Sequence, residues 1–147
     1  MTPAIQQSVE FDVSPETLYE LYLDSKQHSQ ATGAPAKTSR KVGGAFTAFG
    51  GQLKGENLLL VPNKMIVQTW RAAGWKNTDA DSILVISFSK TKTGARVDLV
   101  HVNVPEYDHQ GVTDGWHHYY WEPWRVYLEA VRLEKKAERR KTRQKKG

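Results

Sequence analysis

Apolar and polar side chains alternate at the start of the chain. Residues 5–11 repeat with a period of two, which predicts a β-strand with one buried face. A helix is predicted to follow, because Ser14 is a good N-cap and Pro15 suits the first helical position. Apolar residues then recur at helical spacing, and a second short helical or irregular piece is expected near residues 25–32.

Short apolar runs separated by Gly, Pro and Asn fill residues 37–104. This punctuation is typical of antiparallel strands joined by tight turns. The connections are too short for the crossover helices that parallel strands need. Residues 72–81 are polar and predict a longer exposed loop.

A long helix is predicted at the C-terminal end, with Thr113 as its N-cap. One face of this helix is aromatic, because apolar residues recur at intervals of four, four, three and four. The residues on this face are Trp116, Tyr120, Trp124, Tyr127 and Val131. Pro123 lies inside the helix and predicts a kink, since proline lacks a backbone donor.

These elements predict an α+β fold. We expect a curved antiparallel sheet of about seven strands wrapped around the long C-terminal helix, with one or two short helices after the first strand. Residues 1–136 would form this domain. The aromatic face of the helix would cover the apolar face of the sheet, and a cavity is expected between them.

The basic charge of the chain is concentrated at its C-terminal end. The chain has a net charge of +5, and residues 132–147 contain nine Lys or Arg and two Glu. Residues 1–131 hold the remaining 12 Lys or Arg and 14 Asp or Glu, a net charge of −2. Like charges four residues apart disfavour a helix, so we expect residues 137–147 to form a disordered tail. Nucleic-acid binding is not expected beyond weak, salt-dependent contacts of this tail.

Composition excludes several functions. The chain has no cysteine, which rules out disulfides, thiolate nucleophiles and cysteine-bound metals. The first residues lack the basic and apolar regions of a signal peptide, and no apolar run is long enough to span a membrane. We therefore expect a cytoplasmic protein without a membrane span.

Five segments carry a family resemblance. They are FDVSPETLYELYLD, GAPAKTSRKVGGAF, GENLLLVPNKMIVQTWR, VDLVHVNVP and GWHHYYWEPWR, in this order along residues 8–131. Together they resemble the C-terminal domain of the activator of the 90-kDa heat-shock protein ATPase and its small single-domain relatives. This family belongs to the helix-grip superfamily of START, birch-pollen-allergen and polyketide-cyclase domains (SRPBCC). The resemblance implies a START-like cavity, a heat-shock chaperone as partner and a role in the stress response.

Metal and cofactor sites are not predicted. His117 and His118 are adjacent, so on a helix they point about 100° apart and cannot share a metal ion. Asp114 and His118 are four residues apart, but two ligands are too few for a zinc site. We found no nucleotide-binding or hydrolase motif in the sequence.

His101 and Glu56 are the only weak candidates for catalysis. His101 lies on a predicted strand whose two faces are both partly apolar, and the resemblance implies a histidine at this place. It is either a core histidine paired with a hydroxyl or carbonyl group, or a cavity residue that orients a ligand or transfers protons. Glu56 would need an inward orientation and a partner.

The sequence therefore predicts a non-catalytic binding module. It would bind an apolar small molecule in the cavity, a chaperone or client protein on its surface, or both. The predicted cavity residues are Trp70, His101, Trp116, Tyr120, Trp124 and Tyr127. The alternative is a cavity enzyme of the cyclase or hydrolase type that uses His101, with Glu56. Trp75, in the polar loop, would cap the cavity or be an exposed aromatic for a partner.

Overall fold

The computed structural model describes residues 2–146 as an antiparallel sheet with helices on one face. The strands are β1 Ile5–Phe11, β2 Ala45–Ala48, β3 Leu53–Val61, β4 Met65–Ala72, β5 Ser82–Lys90 and β6 Ala95–Val102. The helices are α1 Pro15–Leu23, α2 Ser25–Thr32, α3 Glu106–Trp116 and α4 Glu122–Lys146, with a π-helical turn, His117–Trp121, between the last two. The strand order is β1-β6-β5-β4-β3-β2, which confirms the predicted α+β helix-grip fold.

Six strands form the sheet in residues 2–146, rather than about seven. The segment before β2 is polar, and only Lys37 pairs there, in a single bridge with Thr47. The bridge does not extend into a ladder, because the backbone N–H of the next residue, Thr38, donates to Ser25 Oγ at 2.8 Å instead.

The predicted helix after β1 is confirmed, and so is its cap. Ser14 Oγ accepts a hydrogen bond from the Thr17 backbone N–H at 3.1 Å, with Pro15 as the first helical residue. The piece near residues 25–32 is also helical, because Asp24 caps its start and Gly33 ends it in the left-handed region. Helix α1 packs on β5 and β6, whereas α2 packs on α1, α4 and the π turn, and both contribute residues to the core.

The predicted start of the last helix at Thr113 is wrong. The helix begins seven residues earlier, at Glu106, directly after Pro105. Thr113 lies in the helix interior, where its hydroxyl donates to the His109 carbonyl at 2.8 Å. A threonine that bonds one turn back behaves as a helix residue rather than a cap, and the acidic Glu106 and Asp108 occupy the first turn instead.

The proline in this helix is accommodated by the π turn. Pro123 cannot donate to the carbonyl one turn back, and the Glu122 N–H bonds the His117 carbonyl five residues back instead. The wider turn carries Trp121 onto the buried side, although a period of 3.6 residues places it off the aromatic face. The rings of Trp116 and Trp121 consequently stack, with centroids 5.6 Å apart and an interplanar angle of 21°.

Helix α4 continues far beyond the sheet. Its backbone is helical to Lys146, and the side chains of residues 132–144 are exposed throughout. The backbone of residues 137–146 is helical in the structure, and both the domain boundary at residue 136 and the disorder of the tail stay predictions. None of the helices within residues 2–146 is long and apolar enough to cross a membrane.

Candidate ligand-binding pocket

An apolar pocket of about 400 Å³ opens between α3, the π turn and the β2–β4 side of the sheet. Its lining is mostly aromatic and apolar. The lining residues are Phe49, Gln52, Leu53, Trp70, Ala72, Asp108, Gly111, Val112, Gly115, Trp116, Tyr119 and Tyr120. Three of the six predicted cavity residues, Trp70, Trp116 and Tyr120, are therefore brought together in one pocket.

The other three predicted cavity residues lie outside the lining. Trp124 is completely buried deeper in the core, where its ring packs against Trp121 and Phe11. Tyr127 lies on α4 and its hydroxyl donates to Gln30 Oε1 at 3.2 Å. His101 lies behind the pocket, with its ring centroid 4.8 Å from that of Trp70.

His101 is held by hydrogen bonds at both ring nitrogens. Nδ1 accepts from Trp116 Nε1–H at 3.1 Å, so the neutral ring carries its proton on Nε2. Nε2–H then donates to Ser82 Oγ at 2.7 Å, and the Ser82 hydroxyl donates to the Trp70 carbonyl. Burial lowers the pKa of His101 to about 3, and the nearby His109 acts in the same direction. His101 is thus a neutral ring whose two nitrogens already have partners.

Glu56 does not approach His101. It lies on β3, is exposed, and is followed by Asn57, whose side chain is buried on the inner face. Because successive strand residues point to opposite faces, the carboxylate of Glu56 is directed away from the pocket. The hydrogen-bond partners of the His101 ring are a serine and a tryptophan, so among residues 2–146 no second titratable side chain is hydrogen-bonded to it, as the cavity-enzyme alternative requires.

A second buried histidine, His28, is hydrogen-bonded to Tyr120 of the pocket wall, and it was not predicted from the sequence. Its Nδ1–H donates to the Tyr22 carbonyl at 2.7 Å, and Nε2 accepts from the Tyr120 hydroxyl at 3.0 Å. Burial lowers the pKa of His28. The Tyr22 hydroxyl in turn donates to Gln68, whose amide donates to Asn57. Helix α2 is polar in sequence, so no apolar pattern marks His28 as buried.

Trp75 is buried, and the interpretation of it as an exposed aromatic is wrong. Its Nε1–H donates to Asp108 Oδ2 at 2.7 Å, and its ring packs on Trp70 with centroids 5.6 Å apart. The polar loop that contains it folds back onto α3, because the Tyr107 hydroxyl also bonds Asp79. Trp75 therefore supports the wall of the pocket from behind.

Within residues 2–146, no group of three or more histidine or carboxylate side chains could hold a metal ion. His117 and His118 are both exposed on the π turn, and the nearest carboxylate to His118 Nδ1 is that of Glu122 at 4.0 Å.

Two glycines form part of the pocket wall. Gly111 and Gly115 are one turn apart in the interior of α3, so they share one face of the helix. Each helix-interior glycine costs roughly 0.5–1 kcal/mol of stability relative to alanine. Their spacing of four was visible in the sequence, and it was the one available signal for this wall.

A curved antiparallel sheet packed around a long C-terminal helix, with an apolar pocket beside that helix, defines a START-like helix-grip domain. The chain matches the family model "Activator of Hsp90 ATPase homolog 1-like protein" over residues 12–129, and it belongs to that family.

Relatives carry the same description. The chain is 28% identical over 116 residues to the "Activator of 90 kDa heat shock protein ATPase homolog" of Dictyostelium discoideum, covering 78% of this chain and 30% of that protein. It is 30% identical over 112 residues to human "Activator of 90 kDa heat shock protein ATPase homolog 1", covering 76% and 33% respectively. The chain thus spans about a third of the length of these curated relatives.

Solved structures agree on the fold. An HSP90 activator from Plasmodium falciparum superposes with a TM-score of 0.79 at 25% identity, covering 86% of this chain and 96% of that one. A protein from Mesorhizobium loti superposes with a TM-score of 0.76 at 20% identity, covering 87% and 98%.

Proposed function

We propose that the chain is a non-catalytic binding module that holds an apolar small molecule in its pocket. The observation that carries this proposal is the 400 Å³ pocket, whose lining has Asp108 as its one charged residue. Drug-sized ligands occupy pockets of about 300–1,000 Å³ that are mostly apolar with a few polar groups. His101, the best candidate for proton transfer, is neutral and fully paired behind the wall, which supports binding over catalysis.

Filling the pocket should abolish this binding. Ala72 is a small, partly buried lining residue at the end of β4, and Ala72→Phe would place a ring in the cavity. We expect wild-type protein to enhance the fluorescence of N-phenyl-1-naphthylamine, an apolar probe, and Ala72→Phe to weaken its affinity at least about tenfold, since the ring removes apolar contact area.

Val126→Phe is the matched control for this experiment. It adds a similar ring at a position of α4 that is 72% exposed, and it should leave the affinity unchanged. Absence of probe binding by the wild type, or equal affinity of the two variants, would contradict the small-molecule proposal.

We further propose a heat-shock chaperone as the protein partner. Family membership and the likeness to an HSP90 activator support this assignment, and with it a role in the cytoplasmic stress response. The proposal concerns the contribution of this one domain to chaperone binding, because the chain spans about a third of the length of its curated relatives.

The chaperone proposal predicts a higher ATPase rate of the 90-kDa chaperone when this protein is added. The measurement compares initial rates with and without the protein, after subtraction of the rate that persists with an ATP-site inhibitor of the chaperone. A co-sedimentation experiment measures binding independently. If the chaperone neither binds the protein nor changes its rate, the proposal is rejected.

A further inference from the structure

We propose that the pocket selects a flat aromatic ligand that carries an N–H or O–H donor. The flat face would lie on the bare backbone of α3 at Gly111 and Gly115, and the donor would bond Oδ1 of Asp108. This inference rests on the small-molecule binding proposed above.

The fold itself does not explain the glycine at position 115. Neither Gly111 nor Gly115 has a positive φ, so the helical backbone at these positions admits any L-residue. A Cβ added at Gly115 would meet only the Tyr119 ring, at an ordinary contact distance of 3.6 Å. Neither backbone strain nor packing therefore requires glycine at position 115. The absence of a side chain at position 115 leaves the helix backbone accessible from the pocket.

Asp108 supplies an acceptor on the same wall. Its Oδ2 is occupied by the Trp75 indole N–H, which fixes the orientation of the carboxylate. Its Oδ1 lies 3.1 Å from the position that a Cβ would take at Gly111, and it has no hydrogen-bond partner among the residues that the structure describes. A carboxylate oxygen can only accept, so it recognises a ligand through an N–H or O–H group.

The remaining walls favour an aromatic ligand. Phe49 meets Tyr119 and Tyr120 edge to face, with centroids 5.6 and 5.8 Å apart, and Trp116 lies 4.7 Å from Tyr120. Rings in these arrangements offer faces and edges for stacking. A flat ring bound beside Tyr119 would contact both the aromatic side chains and the exposed backbone at the glycines.

Two probes of the same shape test the donor. N-phenyl-1-naphthylamine has an N–H where 1-phenoxynaphthalene has an ether oxygen. We expect wild-type protein to bind the amine about tenfold more tightly, because the Asp108 carboxylate accepts a hydrogen bond from its N–H. In Asp108→Asn, which keeps an amide oxygen for Trp75, the preference should fall to near unity. Calorimetric titration measures both ligands in the same way.

Substitution of Gly115 tests the wall. We expect Gly115→Ala to raise Tm by about 2–4 °C, because it removes a helix-interior glycine, and to weaken amine binding. Gly115→Leu should remain folded by circular dichroism and lose amine binding at least about tenfold, since its side chain occupies the ligand's place. Gln110→Leu adds the same side chain at an exposed position of α3 outside the pocket lining, and it should bind like the wild type.

The outcomes separate this inference from the proposal beneath it. If the wild type binds neither probe, small-molecule binding and this inference both fail. If it binds both probes equally, or if Gly115→Leu binds like the wild type, only this inference is overturned. A lower Tm for Gly115→Ala would show that the glycine serves the fold and would overturn its role in selection.

Discussion

Lowering the pH from well above 6.5 to about 4.5 is expected to lower the free energy of unfolding by roughly 2–3 kcal/mol through His101 alone. The folded protein holds this ring neutral, with a pKa of about 3 against an ordinary value of 6.5. The unfolded chain therefore binds a proton below pH 6.5 that the folded chain does not bind. The stabilisation is fully present above pH 6.5 and is lost as the pH falls toward about 3. His28 acts in the same direction, because burial also lowers its pKa.

Urea unfolding at several pH values would measure this dependence. His101→Gln is the informative variant, because an amide offers both a donor for Ser82 and an acceptor for Trp116 without titrating. The free energy of unfolding of this variant should fall less steeply with decreasing pH than that of the wild type. The difference between the two slopes should be about 1.4 kcal/mol per pH unit, whatever the stability of the variant at neutral pH. His28→Gln should also reduce the slope. A wild-type stability that is flat between pH 6.5 and 4.5 would contradict the buried, neutral state of both rings.

Replacing Trp121 by alanine is expected to cost about 3–5 kcal/mol, the usual range for a buried large aromatic side chain. Trp121 is only 2% exposed and stacks on Trp116. Its Nε1–H also donates to Gln7 Oε1 on β1 at 2.7 Å, so the variant would leave a cavity between helix and sheet. The stack on Trp116 depends on the π turn, since residues five apart in a regular α-helix point about 140° apart.

Tyr119→Ala is the control for the π turn. Tyr119 is in the same turn but is 53% exposed, and its loss should cost less than about 1 kcal/mol. Chemical denaturation of both variants gives the comparison. Equal costs would mean that Trp121 does not contribute to the core.

Structural features that depend on local sequence alone were predictable. Alternation predicted β1, and the Ser14-Pro15 pair predicted the start of α1, because each depends on local geometry alone. The spacing of Trp116, Tyr120 and Trp124 predicted the buried face of the last helix. The position of Trp121 was not predictable from that spacing, because it depends on how the chain relaxes around Pro123.

Contacts between distant segments explain the remaining differences. His28 is buried because Tyr22 and Tyr120 provide partners for both nitrogens, and neither partner is marked by the local sequence. Trp75 is buried because Asp108, 33 residues away, accepts its indole proton. The alternation of apolar and polar residues did not decide which face of its strand His101 occupies. Its pairing with Ile5 on β1 and Leu84 on β5, which are both buried, places it on the inner face.

The two buried histidines also define how the long helix is seated. Apolar contacts between a helix and a sheet are not directional, so their energy changes little when the helix slides by one turn or rotates slightly. Hydrogen bonds are directional, and here the Trp116 indole reaches His101 on β6 while the Tyr120 hydroxyl, one turn later, reaches His28 on α2. Any sliding would leave one ring nitrogen of each buried histidine without its partner, at a cost of about 1–3 kcal/mol for each unsatisfied group. The two hydrogen bonds, one to β6 and one to α2, thus fix the axial position of the helix. They thereby also fix the shape of the pocket beside it.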